Sequence, residues 1–211
     1  MNVVKLESML RSFFSEDFGE GDITSETIFS KTDVGVGRFI AKEEGIVCGL
    51  DVIKVGYAIL DKQIEVTMKK KDGDAVRKGD CIAVARGPIA PLLSGERVIL
   101  NLLQRMSGIS TMTRLAVDTL NDPHTRICDT RKTTPGLRML EKYAVRTGGG
   151  YNHRMGLYDG VMIKDNHITA CGSITKAVKK VKEKLGHMVK IEVETETKEE
   201  VLEAIEAGAD V

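Results

Sequence analysis

The chain has 211 residues, 42% of them apolar, so it is long enough to bury one large hydrophobic core or two smaller ones. Its 31 Lys and Arg balance 31 Asp and Glu, and only 4% of residues are aromatic, which argues against nucleic acid and acidic membrane surfaces as partners. No stretch approaches the roughly 18 apolar residues of a membrane-spanning helix. The four cysteines form no CxxC pair, which favours reduced thiols. We therefore expect a globular protein of the cytoplasm.

Apolar periodicity predicts the elements in the first half of the chain. Residues 3–14 carry apolar side chains at helical spacing, which predicts an amphipathic helix. Between residues 35 and 90, short alternating runs are separated by Gly-Asp turns, a pattern typical of an antiparallel sheet. The segment GLDVIKVGYAIL in the middle of this region has the composition of a helix that crosses the sheet.

A longer helical pattern follows two prolines. Ser94 is placed to cap a helix whose apolar face would be formed by Val98, Ile99, Leu102, Leu103 and Met106. The opposite face carries a polar stripe at i, i+4 and i+8, formed by Arg97, Asn101 and Arg105. We expect Gly108 to break this helix, because glycine lowers helix stability, and a second helix to run from about residue 110 to 120.

From residue 125 the pattern changes to strand, loop and helix, repeated along the chain. Three β runs are predicted, TRICDT, DGVMIKD and MVKIEVET, and the helices that follow them are predicted near residues 137–147, 173–185 and 198–207. The last three residues, ADV, have the pattern of a fourth strand that is just beginning. Strands that alternate with helices indicate parallel βα units with right-handed crossovers, and hence an α/β fold.

Charged and polar side chains recur at or just after the carboxyl ends of these three strands, where parallel α/β folds build their sites. They are Asp129, Arg131 and Lys132, then Lys164, Asp165, Asn166 and His167, and then Glu192 and Glu194. Residues 126–167 hold eight Lys or Arg against four Asp or Glu, although the whole chain is neutral. Each cation alone could cap a helix or pair with an acid. Their recurrence at strand ends instead predicts a site for a ligand with several negative charges.

Two further motifs are open to two interpretations each. Gly148, Gly149 and Gly150 could cradle a phosphate or form a flexible turn, and they match neither of the glycine-rich phosphate-binding motifs. Glu192 and Glu194 lie two residues apart on a predicted strand and therefore face the same side. They could hold Mg²⁺ through oxygen ligands or line a solvent-facing strand edge.

Four segments are long and specific enough to compare with a known family: EDFGEGDIT, ERVILNLLQRMSGIST, DTRKTTPGLRMLEKYAV and RTGGGYNHRMGLYDGVMIKDNHI. They resemble the quinolinate phosphoribosyltransferases, the carboxylating nicotinate-nucleotide pyrophosphorylases of NAD synthesis, and the resemblance extends from about residue 9 to 211. It implies an N-terminal α/β sandwich domain over residues 1–104, followed by an incomplete TIM-like α/β barrel over residues 105–211. Because the chain stops at EAGADV, where this family continues with further βα units, we expect a C-terminally truncated version that is inactive or impaired.

The resemblance also implies a reaction. Phosphoribosyl would pass from phosphoribosyl pyrophosphate (PRPP) to quinolinate with decarboxylation, giving nicotinate mononucleotide, CO₂ and pyrophosphate. By motif, the quinolinate carboxylates would be bound by Arg131, His153 and Arg154. Lys132 and Lys164 would lie between quinolinate and PRPP as catalytic residues.

The remaining roles that the resemblance implies concern PRPP, the metal and the assembly. Asp165 and His167 would lie near PRPP, and Glu194 would act as a third catalytic residue that serves PRPP and its Mg²⁺. Arg97 would enter the site of the neighbouring subunit, so the resemblance implies a homodimer. Two alternatives stay open: a molybdenum-transport-associated paralogue that shares the scaffold but takes another substrate, and a catalytically dead partner subunit.

Overall fold

Helix α1 (Val3–Phe18) opens the structure, a computed structural model that describes residues 1–211 and divides into two units, residues 1–152 and residues 153–211. The side chain of Asn2 accepts the Lys5 N–H at 3.1 Å and caps the helix. Leu6, Leu10 and Phe14 follow one another at one-turn spacing and are buried. The predicted amphipathic helix is therefore confirmed, and it ends at Phe18 rather than at residue 14.

Antiparallel strands follow a short helix, α2 (Ile23–Ile28), as the alternating runs predict. The five strands are β1 (Val34–Ile40), β2 (Gly45–Ile46), β3 (Glu65–Met68), β4 (Ala75–Val76) and β5 (Cys81–Pro88). They form a three-stranded sheet in the order β1-β5-β3 and a separate β2-β4 pair, all antiparallel. The predicted crossing helix, α3 (Leu50–Leu60), lies between β2 and β3 in the chain.

The core of the first unit joins apolar side chains from the helices and the sheet. Leu10 of α1, Ile53 of α3 and Ala85 of β5 are all completely buried in one cluster. Burying a side chain of the size of leucine or isoleucine stabilises the folded state by about 1.5–3 kcal/mol. The Tyr57 hydroxyl donates to the Leu92 carbonyl at 3.2 Å, so the polar end of this buried ring is also satisfied.

Two predictions about the next helices are wrong. Ser94 ends helix α4 (Ile89–Ser94) instead of capping α5 (Glu96–Leu120), and its hydroxyl donates to the Asp22 carboxylate at 2.7 Å. Gly108 does not break α5, which continues through it. One glycine costs a helix only about 1 kcal/mol, and the buried face of α5 continues on both sides of it, at Met106 and Ser110.

The first βα unit departs partly from its prediction. The β run TRICDT forms a single parallel bridge, between Cys128 and Tyr151, instead of a full strand. Two backbone hydrogen bonds define it, from Asp129 N–H to the Tyr151 carbonyl at 3.0 Å and from Tyr151 N–H to the Ile127 carbonyl at 2.8 Å. The predicted helix after this run is confirmed as α6 (Arg138–Thr147).

The second unit consists of two βα repeats. Strands β6 (Val161–Ile163) and β7 (Ile191–Val193) pair in parallel, and three helices follow them, α7 (Asp165–Cys171), α8 (Ile174–Lys184) and α9 (Lys198–Ala207). All but α7 are predicted by the sequence. Val211 is not part of a strand but bonds to β7 as a parallel neighbour would, since its carbonyl accepts the Val193 N–H at 3.0 Å. The architecture is therefore mixed α/β, as expected.

The cysteines and the lengths of the helices bear on two further predictions from the sequence. All four cysteines are free, in agreement with the expectation of reduced thiols. Burial raises the pKa of the Cys48 thiol to about 11, so this group is a protonated core side chain at neutral pH. None of the helices combines the length and the apolar character that crossing a bilayer requires.

Candidate active site

The segment before α6 carries the first group of predicted site residues, and we refer to residues 130–137 as the cation loop. It begins two residues after the bridge residue Cys128, at the carboxyl end of the β run, and it contains no helix or strand. Within the loop, Lys132 N–H donates to the Thr130 hydroxyl and Leu137 N–H donates to the Thr134 carbonyl, both at 3.0 Å. The loop therefore has few internal hydrogen bonds of its own.

Arg131 is the half-buried cation of the loop, and its Nε is buried without a hydrogen-bond partner. A buried donor in this state costs about 1–3 kcal/mol unless a ligand or water satisfies it. The backbone of Arg131 is held in place, because its carbonyl accepts an N–H of Arg138 at 3.4 Å. Lys132, next to it, is exposed. The loop thus presents two adjacent cations, one of which has an N–H suited to an anionic acceptor.

Glu141 connects the cation loop to two helices. Its Oε2 accepts the backbone N–H of Thr134 at 3.2 Å, and its Oε1 accepts two N–H groups of Arg105 at 2.9 and 2.5 Å. Burial alone would raise the pKa of Glu141, but the hydrogen bonds from Arg105 and Thr134 outweigh it and hold the pKa below its ordinary value. Glu141 is therefore a charged, nearly buried group at neutral pH.

A second ion pair lies at the base of the loop and was missed by the sequence analysis. Lys142 is completely buried, and its ammonium donates to the carboxylate of Asp129. The Asn152 amide donates to the same carboxylate at 2.6 Å and to the Lys142 carbonyl at 2.8 Å. Periodicity gives no signal for this pairing, because Lys142 and Asp129 are 13 residues apart and meet only when the chain folds. A buried pair of this kind loses about 3–5 kcal/mol of stability when one partner is removed.

In the second unit, the two residues predicted to bind quinolinate, His153 and Arg154, each have a hydrogen-bond partner. Nε2 of His153 lies 2.7 Å from a carboxylate oxygen of Glu192, and Nη1 of Arg154 donates to the Gly160 carbonyl at 2.8 Å. Both side chains are only partly buried. Each side chain is therefore oriented by a partner within the second unit. The Arg154 guanidinium has further N–H groups, which could donate to a ligand.

The residues predicted to serve PRPP lie at the ends of β6 and β7. Nζ of Lys164 donates to Oε1 of Glu194 at 2.6 Å, and both side chains are close to half exposed, at 40% and 49%. Nδ1 of His167 accepts the backbone N–H of Lys164 at 3.0 Å, which assigns the proton of the neutral ring to Nε2. Asp165 is exposed in the first turn of α7. The structure therefore brings Lys164, His167 and Glu194 together.

Alternation along β7 confirms that Glu192 and Glu194 face away from the core. Ile191 and Val193 are buried in the core of the second unit, and the two acids between and after them are not. Each acid has its own cationic or imidazole partner, His153 for Glu192 and Lys164 for Glu194. The two carboxylates thus belong to two different pairs.

Arg97 lies in the first turn of α5, exposed to solvent. It takes part in none of the six salt bridges of the structure. A cation in the first turn of a helix is disfavoured by the helix dipole by about 0.3–1 kcal/mol. Arg97 is therefore an exposed cation whose position is not explained by the stability of its own helix.

The three glycines after α6 are explained by close packing. A Cβ atom on Gly148 would lie 2.5 Å from the Ser110 carbonyl oxygen, and one on Gly150 would lie 2.8 Å from Val145 and 2.9 Å from Thr113. The backbone N–H groups of all three glycines already donate to carbonyls of α6. Since no N–H is left for a phosphate, the turn interpretation is favoured over the phosphate cradle.

A separate cleft of about 520 Å³ lies between the β1–β2 region and α5. Its walls are largely apolar, with Phe39, Leu103 and Met112 among them, and Lys42 is the one cation that lines it. A ligand with several negative charges would find a single cation there, beside the acidic side chains of Glu43 and Glu44. The charged strand ends, and not this cleft, are the candidate active site.

The fold is mixed α/β, and each of the two units carries charged side chains at the ends of its β runs. Residues 22–107 match the family described as "Quinolinate phosphoribosyl transferase, N-terminal domain", and residues 109–211 match "Quinolinate phosphoribosyl transferase, C-terminal domain". The chain belongs to the quinolinate phosphoribosyltransferase family. The expected domain boundary between residues 104 and 105 stays a prediction.

Two relatives and two solved structures illustrate the similarity. The "Probable nicotinate-nucleotide pyrophosphorylase [carboxylating]" of Bacillus subtilis (strain 168) is 60% identical over all of this chain and 73% of its own length. A protein of Synechocystis sp. with the same description is 45% identical over 98% of this chain and 70% of its own length. The structure of NadC from Streptococcus pyogenes matches with a TM-score of 0.95, 39% identity, and coverage of 100% of this chain and 74% of that one. For the nicotinate-nucleotide pyrophosphorylase from Francisella tularensis the TM-score is 0.92, with 38% identity and the same coverage.

Proposed function

We propose that the protein transfers the phosphoribosyl group of PRPP to quinolinate and releases CO₂ and pyrophosphate, forming nicotinate mononucleotide for NAD synthesis. The observation that carries this proposal is the cation loop, in which Arg131 keeps a buried Nε–H without a partner beside the exposed Lys132. Quinolinate is a dicarboxylate, and a guanidinium fork is the side chain that matches a carboxylate best. Membership of the quinolinate phosphoribosyltransferase family and the names of the relatives support the same substrate.

The roles of single residues are those that the resemblance to the family implies. Arg131, His153 and Arg154 would bind the quinolinate carboxylates. Lys132 and Lys164 would neutralise charge where quinolinate meets PRPP, and Asp165 and His167 would bind PRPP itself. The partner subunit of a homodimer would supply its own copy of Arg97, which is consistent with the exposure of this cation and its lack of an acidic partner.

The bond changes explain why cations dominate this set. The lone pair of the pyridine nitrogen attacks C1 of the ribose, and the C1–O bond breaks so that its electron pair leaves with pyrophosphate. The bond from the ring to the 2-carboxylate then breaks, CO₂ departs, and the ring carbon takes a proton from solvent. Both substrates are anions that repel each other, and negative charge grows on the departing pyrophosphate. Preorganised cations such as Lys132 and Lys164 act on both problems.

Mg²⁺ is part of the proposal through PRPP, and Glu194 is the residue that would hold it. No group of three or more His, Cys, Asp or Glu side chains is close enough to form a complete protein cage for a metal ion. Mg²⁺ commonly binds one or two carboxylates together with substrate phosphates and waters, so the single half-exposed carboxylate of Glu194 fits this ion. When bound, the ion supplies positive charge to the pyrophosphate.

The direct test is to incubate the protein with PRPP, Mg²⁺ and quinolinate labelled with ¹⁴C in the 2-carboxylate. We expect labelled CO₂ and nicotinate mononucleotide in equal amounts, and neither product when EDTA removes the metal. Nicotinate in place of quinolinate is the matched control, because it lacks the carboxylate that leaves. If a protein that is folded by circular dichroism neither forms the products nor binds quinolinate, the proposed function is contradicted. Binding of quinolinate without turnover would agree with the inactive, truncated version that the sequence leads us to expect. Binding of another aromatic acid without quinolinate turnover would favour a different substrate.

A further inference from the structure

Thr134 is held at two atoms by residues outside the cation loop. Its backbone N–H donates to Glu141 Oε2 at 3.2 Å, and its hydroxyl accepts an N–H of Arg105 at 2.5 Å. Thr134 lies three residues after Arg131 and two after Lys132, in a loop with few hydrogen bonds of its own. Because Thr134 is itself exposed, hydrogen bonds and not burial fix its position: these two, and the bond that its carbonyl accepts from Leu137 N–H within the loop.

Arg105 and Glu141 also bind each other, and they do so from two different helices. Arg105 lies on α5 and Glu141 on α6, and the Arg105 guanidinium directs two N–H groups at one oxygen of Glu141. The Glu141 side chain is 11% exposed and that of Arg105 is 44% exposed, so water competes little for the carboxylate. The result is a closed triangle of contacts among Arg105, Glu141 and Thr134.

The cation of this triangle is paired with an acid, whereas the cation of the loop is not. Arg105 is neutralised by Glu141, whereas Arg131 keeps an unsatisfied Nε–H. Arg105 was predicted only as part of a polar stripe on its helix, and Glu141 only as one acid in a basic window. Neither belongs to the set of residues proposed to bind quinolinate or PRPP.

We infer that Arg105 and Glu141 are positioning residues, which hold the cation loop in the conformation that presents Arg131 to quinolinate. This inference rests on the proposed function. A loop that is already ordered does not spend binding energy on ordering when the ligand arrives. Loosening it should therefore weaken quinolinate binding equally in the ground state and in the transition state, which raises KM and leaves kcat nearly unchanged.

The test is Glu141→Gln, which keeps the shape of the side chain and removes its charge. We expect the KM for quinolinate to rise roughly tenfold, in line with the loss of charge-assisted hydrogen bonds, with kcat and the KM for PRPP changed less than about twofold. Glu7→Gln is the matched control, since Glu7 pairs with Arg11 at 2.8 Å on the exposed face of α1, away from the loop. It should leave all three constants unchanged.

Thr134→Val provides a second variant that does not disturb a buried group. It removes the bond from Arg105 to the threonine hydroxyl and should raise the KM for quinolinate about threefold. A wild-type protein that neither binds nor turns over quinolinate contradicts the proposed function, while an active wild type allows the inference to be judged by itself. For a wild type that binds quinolinate without turnover, the dissociation constant takes the place of KM in the same comparison. The inference is overturned if Glu141→Gln folds with an unchanged KM, or if kcat falls and KM does not. If Glu141→Gln fails to fold, an unchanged KM in Thr134→Val overturns it.

Discussion

At the scale of single residues, three cations in or near the cation loop differ in their hydrogen-bond partners. Lys142 is completely buried and paired with Asp129, and Arg105 is neutralised by Glu141. Arg131 differs from both because its buried Nε has no partner in the protein. If an anion binds this donor, the cost of leaving it unsatisfied is recovered, and we therefore expect the removal of Arg131 to affect ligand binding most and folding least.

Arg131→Ala should raise the KM for quinolinate roughly 100-fold, since a two-point bond between guanidinium and carboxylate is worth about 1.5–3 kcal/mol. The midpoint of thermal unfolding should stay within about 2 °C of the wild type, because no side-chain hydrogen bond from Nε is lost. Steady-state rates and circular dichroism measure the two effects. Arg77→Ala, an exposed arginine in the turn between β4 and β5, serves as control and should change neither value. Unfolding of Arg131→Ala would instead assign Arg131 a structural role.

At the scale of elements, the helices were the most predictable features, because their signal is local. The apolar residues of α1, α5 and α9 repeat at helical spacing within a few turns, and Thr197 caps α9 with Glu200 in a capping box that the sequence contains. Features that depend on distant partners were not predicted. Ser94 was assigned to a cap, but its true partner, Asp22, lies 72 residues away. The Lys142–Asp129 pair was missed for the same reason.

The candidate site shows the same difference between features with a local signal and features that depend on distant contacts. Its cations could be predicted, because they recur at the ends of β runs and belong to recognisable motifs. Which of them are free to bind a ligand could not, since that depends on contacts between helices such as those of Arg105 with Glu141. Short elements were the other weak point. TRICDT was predicted as a strand and forms one bridge, and α7 was not predicted because its seven residues are too few to show periodicity.

Two glycines associated with α5 allow the packing argument to be tested. Gly108 is exposed and a Cβ atom on it would meet nothing within 4 Å, so Gly108→Ala should raise the free energy of unfolding by about 0.5–1 kcal/mol. Gly148 is the matched opposite, because its Cβ would lie 2.5 Å from the Ser110 carbonyl oxygen. Gly148→Ala should lower the free energy of unfolding by about 1–3 kcal/mol. Urea denaturation measures both, and a stabilised Gly148→Ala would contradict the explanation of the glycine turn.

The hydrogen bond between Asp22, which caps α2, and Ser94, which ends α4, predicts that the free energy of unfolding depends on pH in the acid range. Hydrogen bonds from Ser25 and then Ser94 lower the pKa of Asp22 from 3.8 to about 2. The unfolded chain therefore binds a proton before the folded one does, so the stabilisation from this carboxylate is complete above about pH 4 and is lost as the pH falls towards 2.

Asp22→Asn should be less stable than the wild type by about 0.5–1 kcal/mol at neutral pH, because the carboxylate caps α2 and also accepts the Ser94 hydroxyl. The difference should shrink as the pH is lowered from about 4 to about 2. Urea denaturation at several pH values measures it. Ser94→Ala removes one of the two donors and should show the same trend with a smaller amplitude. A difference that stays constant down to pH 2 would argue against the proposed cause.

At the scale of the whole molecule, the proposed role of Arg97 requires two chains. Arg97 is exposed in the first turn of α5, where the helix dipole disfavours a cation, and none of the salt bridges involves it. If each site uses its own Lys164 and the Arg97 of the partner subunit, then neither Arg97→Ala nor Lys164→Ala alone should be active. In a mixed dimer of the two variants, one of the two sites would regain both residues.

Refolding an equal mixture of Arg97→Ala and Lys164→Ala should therefore restore about a quarter of the wild-type activity, since half of the dimers are mixed and each has one complete site. Mixing Arg131→Ala with Lys164→Ala is the control, because both residues are proposed to act in the site of their own chain and no mixed dimer would contain a complete one. The two experiments differ only in which arginine is replaced. No recovery in the first mixture, with dimers present by light scattering, would mean that Arg97 acts within its own chain or not at all. Recovery in both mixtures would mean that Arg131 also crosses to the partner subunit.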